Sequence, residues 1–251
     1  MRKKVLNKKK VLVFCLFLIF VGLFVFSLFK ILFYLRDNKS NRNIQKVVSE
    51  AVTVTPSSEI GNLYSVNFKQ LKEQNADAVA YLKVKNTNID YVVVKGSDNE
   101  YYLNHNFNKD KNVSGWVFAD YHNKFDGTDR NIIMYGHNTW DGSMFGSLKN
   151  ILDDSWYQNE DNYKILLATE DGVYYYQIFS TYTIDVEDYY ISTSFSSDLE
   201  FETFIKRLKF RSIYPYKVNV YGNDKILTLS TCNGDGRKRV VLHAKLIQNM
   251  K

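Results

Sequence analysis

Apolar positions recur along this chain in three rhythms. The first is unbroken: Val11 to Phe29 is an apolar stretch of 19 residues, and apolar character resumes after Lys30 through Leu35. About 20 apolar residues cross the hydrocarbon core of a bilayer, so residues 11–35 predict one membrane helix. The second rhythm consists of short β-branched and aromatic runs: Ala80–Lys85, Tyr91–Val94, Gly115–Phe118, Asn131–Tyr135, Tyr163–Ala168, Val173–Ser180, Lys225–Ser230 and Val240–Ile247. Most are bounded by turn residues such as Asn86–Asn88, Asp126-Gly127 and Asp171-Gly172, and they read as strands. The third is helical: Phe201, Phe204, Ile205 and Leu208 fall at i, i+3, i+4 and i+7 behind Ser197-Asp-Leu-Glu200, a capping-box pattern. A further helix is expected over Ser65–Ala80, interrupted near Asn75. About eight strands with few helices predict a mainly β domain, a closed or nearly closed barrel with an N-terminal helix and a helix inserted late.

The chain therefore divides into a basic tail (1–10), a membrane helix (11–35), a polar stalk (36–60) carrying Pro56, and a globular domain (61–251). A cleaved signal peptide fits less well. The apolar region exceeds the usual ~7–15 residues, and Lys30 and Tyr34-Leu-Arg36 stand where a small-residue cleavage site would be. Arg2, Lys3, Lys4, Lys8, Lys9 and Lys10 precede the helix without an acid, which orients the N-terminus to the cytoplasm and the domain outward. The net charge of +6 is a product of that segment: residues 1–46 hold eleven Lys/Arg against one Asp, leaving 22 Lys/Arg against 26 Asp/Glu in the rest. A mildly acidic outer domain gives nucleic-acid binding no support.

Two cysteines remain to be explained. Cys15 sits in the membrane helix, and Cys232 is the only cysteine of the outer domain, so this topology allows no intrachain pair. An exported domain without disulfides suggests a bacterial surface, and its single thiol is a candidate nucleophile. Cys232 lies where an alternating strand meets the Gly-rich turn Asn233–Gly236. A free thiol has a pKa of about 8.5 and is mostly protonated at neutral pH, so it needs a base or a nearby cation. His137 ends a predicted strand just after Gly136, a similar rim position, and an imidazole can give a proton to a leaving amine. Arg239 opens the last strand and offers a fixed fork of donors for an oxyanion or for orienting a peptide. Arg237, two residues earlier, would face the same way and competes for that role. Ser230 should share a strand face with Cys232, either toward substrate or bonded to backbone inside the barrel. Asn138 could orient His137 or simply occupy an exposed turn. His105, His122 and His243 lack such settings and read as surface or core residues. No CxxC or HxxxH spacing suggests a metal, and no Gly-rich phosphate loop is present, so no cofactor is expected.

Three separated motifs resemble the class B sortases, cell-surface cysteine transpeptidases of Gram-positive bacteria. Thr228-Leu-Ser-Thr-Cys232 matches that family's TLxTC signature, Ile132–Asn138 continuing as Asp141–Leu148 is similar to its histidine region, and Arg239 stands at the start of the final strand. Asn88–Tyr91, Asp98–Leu103, Gly115–Tyr121 and the helix before the cysteine strand add to the likeness, which covers about residues 60–250. The resemblance implies an eight-stranded barrel and a reaction. Cys232 attacks a C-terminal sorting motif, often Asn-Pro-x-Thr in this class, and cleavage after Thr leaves an acyl-thioester. An amine of the peptidoglycan cross-bridge or of a pilin lysine then resolves it. The implied partners are surface proteins bearing sorting signals, the amine acceptor and the membrane. By analogy, Leu103, Tyr190, Ile191 and Ser230 would wall the peptide groove. Two other cysteine enzymes compete less well. An L,D-transpeptidase places His and Cys close together, whereas 95 residues separate His137 from Cys232. A papain-like hydrolase has its cysteine before its histidine. A non-enzymatic surface domain with an inert thiol is the remaining alternative.

Overall fold

The short β-branched runs do close on one another. In the computed structural model, residues 8–56, 63–185, 187, 189–232 and 238–250 are described, Cys232, Asn249 and Met250 by backbone alone. Helix α1 (Lys8–Ser49) leads into a ribbon of β1 (Val52–Thr55) and β2 (Leu63–Val66), then a short helix α2 (Phe68–Gln74). There follow β3 (Ala78–Val84), β4 (Asp90–Val94), β5 (Phe118–Ala119), β6 (Asn131–Gly136), α3 (Asp154–Tyr157), β7 (Lys164–Thr169), β8 (Gly172–Asp185), α4 (Asp198–Phe210), β9 (Ile226–Cys232) and β10 (Lys238–Met250). Strands β3 to β10 form the expected closed barrel, in the order β10-β8-β7-β3-β4-β5-β6-β9. The β4–β5 and β6–β9 pairs are parallel. Parallel neighbours need a long crossover, and β7, β8 and α4 supply it between β6 and β9.

The helix expected over Ser65–Ala80 is shorter than its pattern suggested. Leu63–Val66 pairs antiparallel with Val52–Thr55 instead, and Asn67 caps α2 by accepting from the Gln70 amide at 3.1 Å. Asn75 stops it; its buried side chain donates to the Tyr102 hydroxyl at 3.0 Å and the Phe107 carbonyl at 2.7 Å. The run Gly115–Phe118 contributes only Phe118 and Ala119 to the barrel. Gly115 has φ +54°, and a Cβ there would lie 2.3 Å from the Tyr102 carbonyl, so the chain turns before it can pair.

Helix α1 runs without a break from the apolar segment into the residues expected to form a stalk. Part of it is long and apolar enough to cross a membrane by length and composition. Beyond Tyr34 it docks on the domain. Asn41 donates to the Asn112 side chain (3.1 Å) and the Gly115 carbonyl (3.0 Å), Asn112 donates to the Asp37 carbonyl (3.1 Å), and Val48 joins the main core. The polar composition of residues 36–49 thus serves loop amides and carbonyls, which need partners once buried.

Helix α4 forms where the period predicted it. Ser197 caps it by accepting from the Glu200 amide at 3.1 Å, while the Glu200 carboxylate reaches Ser196 instead of closing the box on Ser197. Phe201, Ile205 and Leu208 are buried in a second core with Phe179, Tyr182, Ile226 and Val241, and Phe204 packs at its edge. Beneath lies a buried polar chain. Neutral His243 is held between Thr228 Oγ1 at 2.9 Å and Tyr182 Oη at 2.8 Å, and Thr228 donates to Asn131 at 2.7 Å. Burial lowers the His243 pKa to about 3, against about 6.5 in the unfolded chain. The stability this neutral imidazole supports is whole above pH 6.5 and is lost as pH falls toward 3. Unfolding between those limits should therefore take up close to one extra proton. Denaturant titrations from pH 4 to 7 on the wild type and His243→Gln should show the pH slope shrinking in the variant.

Candidate active site

The candidate residues are gathered by strand register. Gly136 pairs with Thr231 across the parallel β6–β9 ladder, and Cys232 pairs with Arg239 across β9–β10. His137, Cys232 and Arg239 therefore lie at the same end of three consecutive strands. Neighbouring strands are about 4.8 Å apart, so the backbone at these positions spans about 10 Å. Arg237 and the turn Asn233–Gly236 lie outside the described residues.

The His137 ring is fixed by the loop that holds Leu103. Its Nε2 is 2.7 Å from the Leu103 carbonyl. A carbonyl only accepts, so Nε2 carries the proton in this contact. On the backbone, the Phe145 amide donates to the His137 carbonyl at 3.0 Å. The returning loop is tightly built: Met144 is buried at φ +49°, a left-handed conformation uncommon for a long side chain, and its amide donates to the Tyr91 hydroxyl at 2.9 Å. Gly136 must lie close beside this loop, since a Cβ there would come within 2.8 Å of the buried Phe145 ring. Gly136→Ala should cost about 1–3 kcal/mol through overpacking, read as a lower denaturant midpoint with an unchanged slope.

Leu103, His137, Tyr190, Ile191, Ser230 and Arg239 line one cavity of about 320 Å³, so the expected wall residues and two of the three expected catalytic residues share a space. Ser230 does not point into the barrel. Leu227 and Leu229 join the main core, Ile226 joins the core under α4, and the Ser230 hydroxyl lies 3.0 Å from that of Tyr190. Asn138 is half-buried, pairs by backbone with Met144 and is not among the lining residues. His105 is half-buried, stacked on Tyr101 and bonded to its carbonyl, and His122 is exposed and bonded to Asp120.

The cavity also contains residues that the pattern did not single out. Asn99, Phe118, Tyr135, Gly136, Glu187 and Thr231 complete its wall. Buried Asp120 organises two of them, accepting from Asn99 Nδ2 at 2.8 Å and from the Tyr135 hydroxyl at 2.9 Å. Burial alone would raise its carboxyl pKa, but bonds from the His122 amide, Asn99, the His122 ring and Tyr135 lower it on balance. Tyr135 is pushed far up by burial and by that carboxylate, so its hydroxyl remains a donor. Arg239 is half-buried and, among the described residues, has no carboxylate partner. Glu187 is engaged by Arg211 at 3.4 Å. A guanidinium with no carboxylate partner among the described residues, set in a partly apolar cavity, can act on a developing negative charge. A larger cavity of about 510 Å³ opens at the other end of the barrel, around Asp129, Ile132, Tyr176 and Lys225, and includes none of the candidates.

Comparison with known proteins shows the family of the chain. The family model described as the sortase domain matches residues 82–247. The chain is 35% identical over 240 residues to a sortase B of Listeria monocytogenes, covering 92% of this chain and 94% of that protein. The chain belongs to the sortase family, in its class B. Its barrel is similar to the crystal structure of Bacillus anthracis sortase B in complex with AAEK1 (33% identity, TM-score 0.75, covering 85% of this chain and 99% of that one). It is also similar to the Staphylococcus aureus sortase B–substrate complex (34% identity, TM-score 0.68, covering 72% and 84%). As a sortase it is a transpeptidase. Asn99 and Tyr135 are drawn to the cavity by Asp120, and Glu187 is engaged by Arg211, non-local links that strand periodicity does not encode.

Proposed function

We propose that this sortase is a membrane-anchored cysteine transpeptidase whose nucleophile is Cys232, with His137 as general acid and base and Arg239 as the cation for the oxyanion. The single observation that carries this reading is the register: Gly136 beside Thr231 and Cys232 beside Arg239 put the three positions at one end of β6, β9 and β10. In the first half-reaction the Cys232 thiolate adds to the carbonyl of the motif's Thr. The tetrahedral oxyanion faces Arg239, the scissile C–N bond breaks, and His137 gives its proton to the departing amine. In the second, an acceptor amine adds to the thioester carbonyl and passes a proton to His137. The C–S bond then breaks, returning the thiolate and releasing the new amide.

Substrates in this reading are surface proteins carrying an Asn-Pro-x-Thr-like sorting signal, and the acceptor is a cell-wall or pilin amine. The peptide lies against Leu103, Tyr190, Ile191 and Ser230. The apolar part of α1 anchors the enzyme with its basic N-terminus in the cytoplasm and the barrel outside. Anchoring enzyme, substrate and acceptor at one surface raises their effective concentration. The test is to present the full chain in detergent with a panel of internally quenched sorting-motif peptides, with and without an amine acceptor. Cleavage plus amine-dependent ligation is expected; no turnover of any peptide would overturn the proposal.

A further inference from the structure

Among the described residues two aromatic side chains outside the cavity stand almost bare, Phe210 at the end of α4 (91% exposed) and Trp140, and only Trp140 adjoins α1. Trp140, three residues beyond His137, is 88% exposed, whereas Trp116 and Trp156 are 0% and 6% exposed. Large aromatic side chains are seldom left so bare on a soluble surface. Its position is tied to α1: the Trp140 amide donates to the Tyr34 hydroxyl at 3.0 Å, and Arg42 faces Asp141 at 3.9 Å. The neighbouring loop is tied in the same way. Val113 is 58% exposed, and its amide donates to the Asp37 carboxylate at 2.8 Å.

These contacts form an ordered series along the helix. Tyr34 holds Trp140, Asp37 holds Val113, Asn38 holds Ser114, Asn41 holds Asn112, and Gln45 holds the Asp90 carbonyl. Trp140 is thus held by the member of this series nearest the apolar segment. Tyr34 lies five residues past Phe29, about 7.5 Å along the axis. The polar zone on each side of a bilayer is about 5–8 Å deep, so a helix spanning through Phe29 sets Tyr34 in the headgroup layer. Tryptophan prefers that layer, with its ring at the boundary and its N–H toward water.

We infer that Trp140 is a membrane foot: it inserts into the interfacial zone of the outer leaflet and seats the barrel against the phospholipid surface. This rests on α1 being the membrane anchor. Seating fixes the height of the His137 loop, whose next turn is the foot itself. The occupant of this face is lipid, because the apolar helix it adjoins delivers it there.

Trp140 is its own probe, since the two other tryptophans are buried. The full chain is reconstituted into vesicles of ordinary phosphatidylcholine or of phosphatidylcholine brominated high on the acyl chain, and tryptophan emission is read with and without aqueous iodide. Bromolipid is expected to quench a fraction of the emission that iodide cannot reach, and Trp140→Phe should remove that fraction. Alkaline carbonate extraction is run on the same vesicles. Protein retained by the bilayer but with Trp140 quenched by iodide and indifferent to bromolipid would overturn the foot while leaving the anchor intact. Protein stripped by carbonate would overturn the anchor, and the foot with it. Shielding from both quenchers would mean that protein covers Trp140, which also overturns the inference.

Discussion

Cys232→Ala should reduce turnover of a sorting-motif peptide to background, a loss on the order of 10⁴-fold or more, and adding His137→Ala should cost almost nothing further. Residues that act as one unit are strongly non-additive. Without the sulfur there is no acyl-thioester for an acid to assist, and without the acid an amide nitrogen is a very poor leaving group. The readouts are initial rates with a quenched peptide and intact-mass detection of the acyl-enzyme, which should be absent in the Cys232 variant. Thermal midpoints near wild type would keep misfolding out of the comparison, as the β9 ladder is made by backbone groups that the substitution leaves in place. A Cys232→Ala enzyme that still cleaves and ligates would end the thiol mechanism.

The barrel was legible because its strands carry their own punctuation. Runs such as Asn131–Tyr135 and Val240–Ile247 are β-branched or apolar and bounded by turn residues, and each appears as a strand within a few residues of its predicted limits. The exceptions are positions where a distant partner decides. Ser65 and Val66 have the composition of a helix start, but pairing with Thr53 and Val52 makes them a strand. Residues 36–49 look like a solvated spacer, yet Asn38 and Asn41 are buried because loop 112–115 offers them partners. No window of sequence contains that information. The site follows the same division. His137, Cys232 and Arg239 stand at strand ends that the pattern could locate, and Leu103, Tyr190, Ile191 and Ser230 came by family likeness. Asn99, Tyr135 and Glu187 depend on tertiary links through Asp120 and Arg211, which only the fold reveals.

Arg239→Ala should lower kcat on the order of 10²- to 10³-fold while moving KM far less, the signature of a donor that acts chiefly in the transition state. Two features of its setting favour a charge role. The guanidinium lines the same cavity as His137, and among the described residues no carboxylate neutralises it, because Glu187 is held by Arg211. Its field also reaches the cavity wall, where it is one of the influences on the Tyr135 hydroxyl. Arg239→Lys should recover only part of the loss: an ammonium restores the charge but lacks the planar fork that can meet an oxyanion with two parallel donors. Pre-steady-state kinetics separate the two halves of the reaction. Acyl-enzyme formation and its aminolysis both pass through a tetrahedral oxyanion, so both rates should fall together in the alanine variant. A rise in KM with kcat preserved would instead assign Arg239 to holding the peptide, and the oxyanion would then have to be met by another donor.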